Sequence, residues 1–172
     1  MYKRQYTDTV VQQSERLAAM STHVLELARY ENTEIVSDKT LYSLDEQLRR
    51  CVRQQEREWL KKSLTVEGDL DPVDYYGNEE LVEHIWSNLL SNAIRFTPAG
   101  GQITVVLRRG EGEVTVSVSD TGIGMDEETQ RHIFDRFYRA APYPDDRGNG
   151  LGLSIVRRVV TLCGGSVTVF SR

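Results

Sequence analysis

Asp120-Thr121-Gly122-Ile123-Gly124-Met125 and Gly148-Asn149-Gly150-Leu151-Gly152-Leu153 bound the stretch whose reading decides the fold. Between them lie an aromatic–basic block, Ile133-Phe134-Asp135-Arg136-Phe137-Tyr138-Arg139, and a loop containing Pro142 and Pro144. Glycines set this close together let the backbone approach a ligand and leave N–H groups free for phosphate. Either half alone is a weak signal; in this order, the two halves organise the rest of the chain.

Working back from Asp120, Ile103, Val105 and Leu107 alternate with polar neighbours, Arg109-Gly110-Glu111-Gly112 turns the chain, and Val114, Val116 and Val118 alternate back. One more step of that period makes Asp120 the next inward residue. A carboxylate on a buried face needs a hydrogen-bond partner to offset its desolvation. The exocyclic amine of a bound base would serve; so would the N–H groups of the turn that follows. Gly122 and Gly124 straddle Ile123, which could lie on the face of a flat ligand. Working forward, Asp126 is placed to cap a helix through about Phe134. Gly148, Gly150 and Gly152 lead into a helix carrying Leu153, Ile155, Val156, Val159 and Leu162 toward the sheet, and its first N–H groups make an anion site. Gly164-Gly165 ends that helix, and Val167–Phe170 is expected to begin a strand.

Upstream, Asn78 is a helix N-cap followed by Glu79 and Glu80, where the helix dipole favours negative charge. Leu81, Ile85, Leu89 and Ala93 form its apolar face. Asn88, Asn92 and Arg95, at i, i+4 and i+7, align along one edge. Such a seam could hold a hydrated cation and a phosphate; a solvated helix face is the plainer alternative. Ser43 and Glu46 have the spacing of a capping box, opening a helix with Leu44, Leu48, Cys51 and Val52 inward. Leu64–Val66 and Val73–Tyr76 are β-prone runs. Residues 6–30 read as one long amphipathic helix with a heptad stripe of Val10, Gln13, Leu17, Met20, Val24 and Leu27. That stripe either packs on its own domain or forms half of a helical hairpin that dimerises into a four-helix bundle. A polar linker, residues 31–38, follows it.

Composition sets the outer bounds. At 172 residues the chain is long enough for one domain with a real core plus an appendage. A formal net charge of −5 argues against nucleic acid as a partner. Two distant cysteines and three histidines without ligand spacing point to reduced core thiols rather than a disulfide or metal centre. No apolar run approaches the ~18 residues of a spanning helix.

Four segments, Asn88–Pro98 (N-L-L-S-N-A-I-R-F-T-P), D-T-G-I-G-M, I-F-D-R-F-Y-R and G-N-G-L-G-L, resemble the N, G1, F and G2 boxes of sensor histidine kinases of two-component systems, in family order. The resemblance covers roughly residue 39 to the end. It implies an α+β fold, the two-layer α/β sandwich of the Bergerat type, with a mixed sheet and helices on one face, preceded by the long amphipathic helix. Residues 1–33 would be part of a dimerisation and phosphoacceptor domain, its second helix only, and residues 34–172 the catalytic ATP-binding domain. Asp120 would accept from the adenine amino group, with Gly122, Ile123 and Gly124 shaping the base pocket. Asn92 would coordinate Mg²⁺, with Asn88, Arg95 and Phe96 nearby. Arg136, Phe137 and Arg139 would steady a lid spanning residues 138–147, and Gly148, Asn149, Gly150, Leu151 and Gly152 would offer N–H groups to the phosphates.

The same resemblance implies a cytoplasmic part of a membrane-anchored sensor, reaching the membrane through segments outside this chain. It would act as a homodimer through the N-terminal helix and pass phosphoryl to the receiver domain of a response regulator. Two departures carry expectations. The family's phosphoacceptor histidine is absent before Tyr6, so no catalytic residue of that kind is expected within the chain. Binding of Mg·ATP without autophosphorylation follows, and label from ATP on His23, His84 or His132 would contradict it. The sheet is also expected to be one strand short after Arg172. Trp86 stands where a smaller aliphatic is usual. Hydrolysing relatives carry glutamate at the position of Asn88, which favours a kinase over a hydrolase. An anti-sigma-type serine kinase or a nucleotide sensor without transfer is the competing reading.

Overall fold

The computed structural model describes residues 36–140 and 148–171, together with helical positions 14, 18, 21, 22, 24, 25 and 28–30. Most of the heptad stripe and His23 lie outside the described residues. Of the stripe only Val24 is described; it is helical and 42% exposed.

The chain runs β1 (Thr40–Ser43), α1 (Leu44–Gln54), α2 (Glu56–Lys61), β2 (Thr65–Leu70), β3 (Asp74–Gly77), α3 (Glu79–Phe96), β4 (Gln102–Arg109), β5 (Val114–Asp120), α4 (Glu127–His132) and α5 (Gly152–Leu162). The main sheet has the order β2-β4-β5 and is mixed: β4 is parallel to β2 and antiparallel to β5. β1 and β3 pair as a separate antiparallel ribbon. Alternation in β4 buries Ile103, Val105 and Leu107, and β5 sets half-buried Val114, Val116 and Val118 beside them. Over this face lie α3 and α5, which pack on each other, with α1 against α3. The result is a two-layer sandwich with a mixed sheet and helices on one face. Leu48, Ile103 and Ile155 are fully buried, so truncating any one to Ala should cost ~2–5 kcal/mol.

Local rules explain the element ends. The Asn78 side chain accepts from the Leu81 N–H at 2.8 Å, and Asp126 accepts from the Thr129 N–H at 2.7 Å, both as N-caps. The expected capping box at Ser43 does not form. The Ser43 hydroxyl instead donates to Asp45 at 2.7 Å, and Glu46 pairs with Arg49 at 2.6 Å. Burial pushes the Asp45 carboxyl up, but bonds from Ser43, Arg49 and the Val73 N–H outweigh it and hold its pKa at about 2.

The helix after Asp126 ends at His132 rather than Phe134. β2 extends to Leu70, beyond the β-prone run Leu64–Val66, because the parallel ladder with β4 continues to Leu107. Val167–Phe170 is not a strand: its residues alternate in burial, yet no strand among the described residues hydrogen-bonds to them, and Ser171 accepts from the Met125 N–H at 2.8 Å. At the start of the helical layer, buried Gln47 of α1 donates to the Glu79 carbonyl at 2.7 Å and accepts from Trp86 Nε1 at 2.9 Å. The large residue at position 86 is therefore accommodated by a satisfied polar bond between α1 and α3.

Candidate functional site

Three segments converge beside the C-terminal half of α3. The first is the loop after β5. Asp120 ends that strand opposite Ile103, in the inward parity its pattern requires. It is nonetheless exposed, and its Oδ1 accepts from the Gly122 N–H at 2.8 Å. The inward carboxylate of the sequence reading is thus corrected to one that bonds the local turn and still faces solvent. Parity survives to the strand end, but Asp120 is not covered there as Ile103 is.

Gly122 is held closely: a Cβ there would lie 2.8 Å from the Phe96 carbonyl oxygen and overlap the Asp120 carboxylate. The Ile123 N–H donates to the same Phe96 carbonyl at 3.3 Å, Gly124 takes φ +68°, and the Ile123 side chain is 59% exposed. The loop therefore sets an exposed carboxylate beside an exposed aliphatic side chain, with its backbone tied to the end of α3. That tie through a backbone carbonyl leaves no mark in a side-chain pattern.

The second segment is the glycine run before α5. A Cβ on Gly152 would lie 2.6 Å from Asn88 Oδ1, and one on Gly148 would overlap the Arg95 guanidinium. The Asn149 side chain accepts from the Leu151 N–H at 3.2 Å, and buried Leu151 precedes α5. By helix geometry the first amides of α5, from Gly152 to Ser154, have no intrahelical acceptor and face the same space. Asn88, Asn92 and Arg95 are all half-buried, and the Arg95 guanidinium carbon stands 5.0 Å from the centre of the Phe96 ring. The polar seam of α3 and the glycines some sixty residues later therefore meet.

The third segment is the aromatic–basic block. The Phe137 N–H donates to the Gly150 carbonyl at 2.9 Å. Phe137 takes φ +60° and Gly150 φ +70°, and left-handed backbone at a bulky residue costs ~1–3 kcal/mol. His132 Nδ1 lies 2.7 Å from Asp135 Oδ2, and the Tyr138 hydroxyl donates to Thr129 at 3.4 Å, fastening the block to α4. Arg136, Phe137 and Arg139 are exposed. Of the expected lid, residues 141–147 lie outside the described residues.

The donor set suits Mg²⁺ in kind: amide oxygens at Asn88 and Asn92 beside a guanidinium match a cation that keeps most of its water and binds through phosphates. Among the described residues no cluster of three His, Cys, Asp or Glu side chains could hold a metal alone. No described helix is long and apolar enough to cross a membrane.

A sandwich with a glycine-flanked loop after the β4–β5 hairpin, an amide-lined helix and a glycine-led helix N-terminus has the make-up of a nucleotide-binding class. Residues 77–172 match the family of histidine kinase-, DNA gyrase B- and HSP90-like ATPases, and the chain belongs to it. Among characterised relatives, the heme sensor protein HssS of Staphylococcus saprophyticus is 30% identical over 169 residues, covering 98% of this chain and 36% of HssS. The chain thus spans just over a third of that relative's length. The mycobacterial sensor histidine kinase MprB has a TM-score of 0.64 at 27% identity, over 74% of this chain and 81% of that structure. The histidine kinase ThkA, solved with the response regulator protein TrrA, has a TM-score of 0.72 at 24% identity, over 88% of this chain and 43% of that chain, a likeness of fold. The resemblance to sensor histidine kinases carried by the four boxes is borne out.

Proposed function

We propose that this chain carries the Mg·ATP-binding catalytic domain of a two-component sensor histidine kinase, in residues 34–172, with residues 1–33 contributing part of a dimerisation helix hairpin. Adenine lies over Ile123 between Gly122 and Gly124, with its amino group donating to Asp120. The phosphates lie against the amides of Gly148–Gly152 and the first turn of α5, with Arg95, Arg136, Phe137 and Arg139 around them. Asn92 would hold Mg²⁺ through its side-chain oxygen, with Asn88 beside it. Mg²⁺, when bound, neutralises charge on the phosphates. Phosphoryl transfer asks the protein chiefly to position ATP and stabilise charge, and the residues present are of that kind.

The γ-phosphoryl would pass to a histidine of the dimerisation domain and then to an aspartate in the receiver domain of a response regulator. The ThkA–TrrA complex supports that partner. Transfer would take place at the cytoplasmic side of a sensor whose remaining segments lie beyond these residues.

The observation that carries the reading is the meeting of Asn88 with Gly152 and of Arg95 with Gly148. Calorimetry with Mg·ATP tests it: saturable one-site binding, weakened by EDTA and competed by ADP, is expected. No binding of either nucleotide to the folded chain would overturn it.

A further inference from the structure

We infer that Lys62, outside all four boxes, is a positioning residue for the nucleotide, an inference that rests on the ATP-site reading above. The last carbonyls of a helix have no intrahelical donor and carry its negative pole. In α3 they are taken up by three different parts of the chain. The Ala93 carbonyl accepts from the Thr97 N–H at 3.0 Å and its hydroxyl at 2.6 Å. The Ile94 and Arg95 carbonyls accept from Lys62 Nζ at 2.7 and 2.9 Å. The Phe96 carbonyl accepts from the Ile123 N–H at 3.3 Å.

The same helix end therefore bears the ammonium on one side and the adenine-end loop on the next carbonyl. The Arg95 side chain projects from it to the phosphate-end glycines. Lys62 is itself fixed. Its carbonyl accepts from the Gly100 N–H at 2.9 Å, and Ser63 after it takes φ +51° while its N–H bonds the Leu60 carbonyl at 2.9 Å. Lys62 is accordingly half-buried rather than left to sweep solvent. Two charge-assisted bonds to adjacent carbonyls set the last turn of α3. That turn in turn sets the spacing between Asp120–Gly124 and Arg95 with its glycines. Lys62 touches neither base nor phosphate; it acts through α3.

The test compares Lys62→Met, Lys62→Gln and Lys62→Arg with wild type by calorimetry for Mg·ATP, well below every melting midpoint, with folding checked by circular dichroism. Lys62→Met should bind about tenfold more weakly. Lys62→Arg, which keeps charge and donors, should stay within about twofold, and Lys62→Gln should fall between them. A merely structural lysine would lower the melting temperature while leaving the affinity of the folded protein unchanged, and that result overturns the inference. Should Lys62→Met not fold, Gln and Arg variants equal to wild type in affinity overturn it equally. Wild-type chain that binds no Mg·ATP would instead defeat the site reading beneath it.

Discussion

The two ends of the site are built in different ways. The end proposed for adenine is built on one turn: Asp120, Gly122 and Ile123 lie within four residues, one bond among them spans two residues, and one backbone bond ties them to the Phe96 carbonyl of α3. The end proposed for the phosphates is assembled from a distance: Asn88 and Arg95 of α3, Phe137 after α4 and Gly148–Gly152 before α5 meet through glycines that leave no room for a Cβ. An end built on one turn fails chiefly where that turn or its tie to α3 is disturbed. An assembled end fails wherever one of its contacts is forced apart, so substitutions should affect the two unequally.

The largest effect is expected at the assembled end. Gly150 has φ +70°, and a Cβ there would lie 2.7 Å from both the Phe137 carbonyl carbon and the Tyr138 carbonyl oxygen. Those are backbone atoms and cannot rotate away, so Gly150→Ala should weaken Mg·ATP binding by about thirtyfold or more in calorimetry. Near-normal affinity would mean that the junction with the aromatic–basic block is dispensable. Next comes Asp120→Asn, which should cost about tenfold in ATP affinity and erase the preference for ATP over GTP, with an unchanged melting temperature. Retained preference would move base recognition elsewhere. Gly152→Ala should have a smaller effect, about three- to fivefold, because its clash is with the Asn88 side-chain oxygen, which can swing aside.

Asp45→Asn, outside both ends, should leave affinity unchanged and lower the melting temperature by about 5 °C at neutral pH. The sign follows from its depressed pKa of about 2. The contribution is present above the unfolded value near ~3.9 and is lost as pH falls through the folded one. The gap between variant and wild type, followed by thermal melts, should therefore close between about pH 4 and pH 2.

Much of this was legible because the signals were periodic or local. Asn78 and Asp126 are caps whose partners lie three residues on, so their spacing alone identifies them. The hairpin β4–β5 follows from alternation, and the seam Asn88, Asn92 and Arg95 from helical spacing. The exposure of Asp120 was not legible: alternation fixes which side a residue faces, not whether anything covers that side. Ser43 has the right spacing for a capping box, but the nearer Asp45 carboxylate takes its hydroxyl proton. Val167–Phe170 alternates as a strand should, yet a strand needs a neighbour to bond. Lys62 reads as an ordinary surface lysine, because its acceptors are backbone carbonyls thirty-two and thirty-three residues away.

The parallel pairing of β2 with β4 has a further consequence, for the order in which the protein folds. β4 and β5 are joined by a short turn, and a hairpin of that kind closes in about 1–10 μs. β2 can join β4 only after β3 and all of α3 have crossed over between them, and such non-local pairing is slow because loop closure precedes its reward. The loop that would receive adenine hangs from the fast hairpin, whereas the asparagines and arginine that would face the phosphates arrive with the slow crossover. Substitutions that weaken the β4–β5 hairpin or the crossover itself are therefore expected to retard refolding, and those in contacts made after the crossover closes to hasten unfolding, in denaturant-jump kinetics.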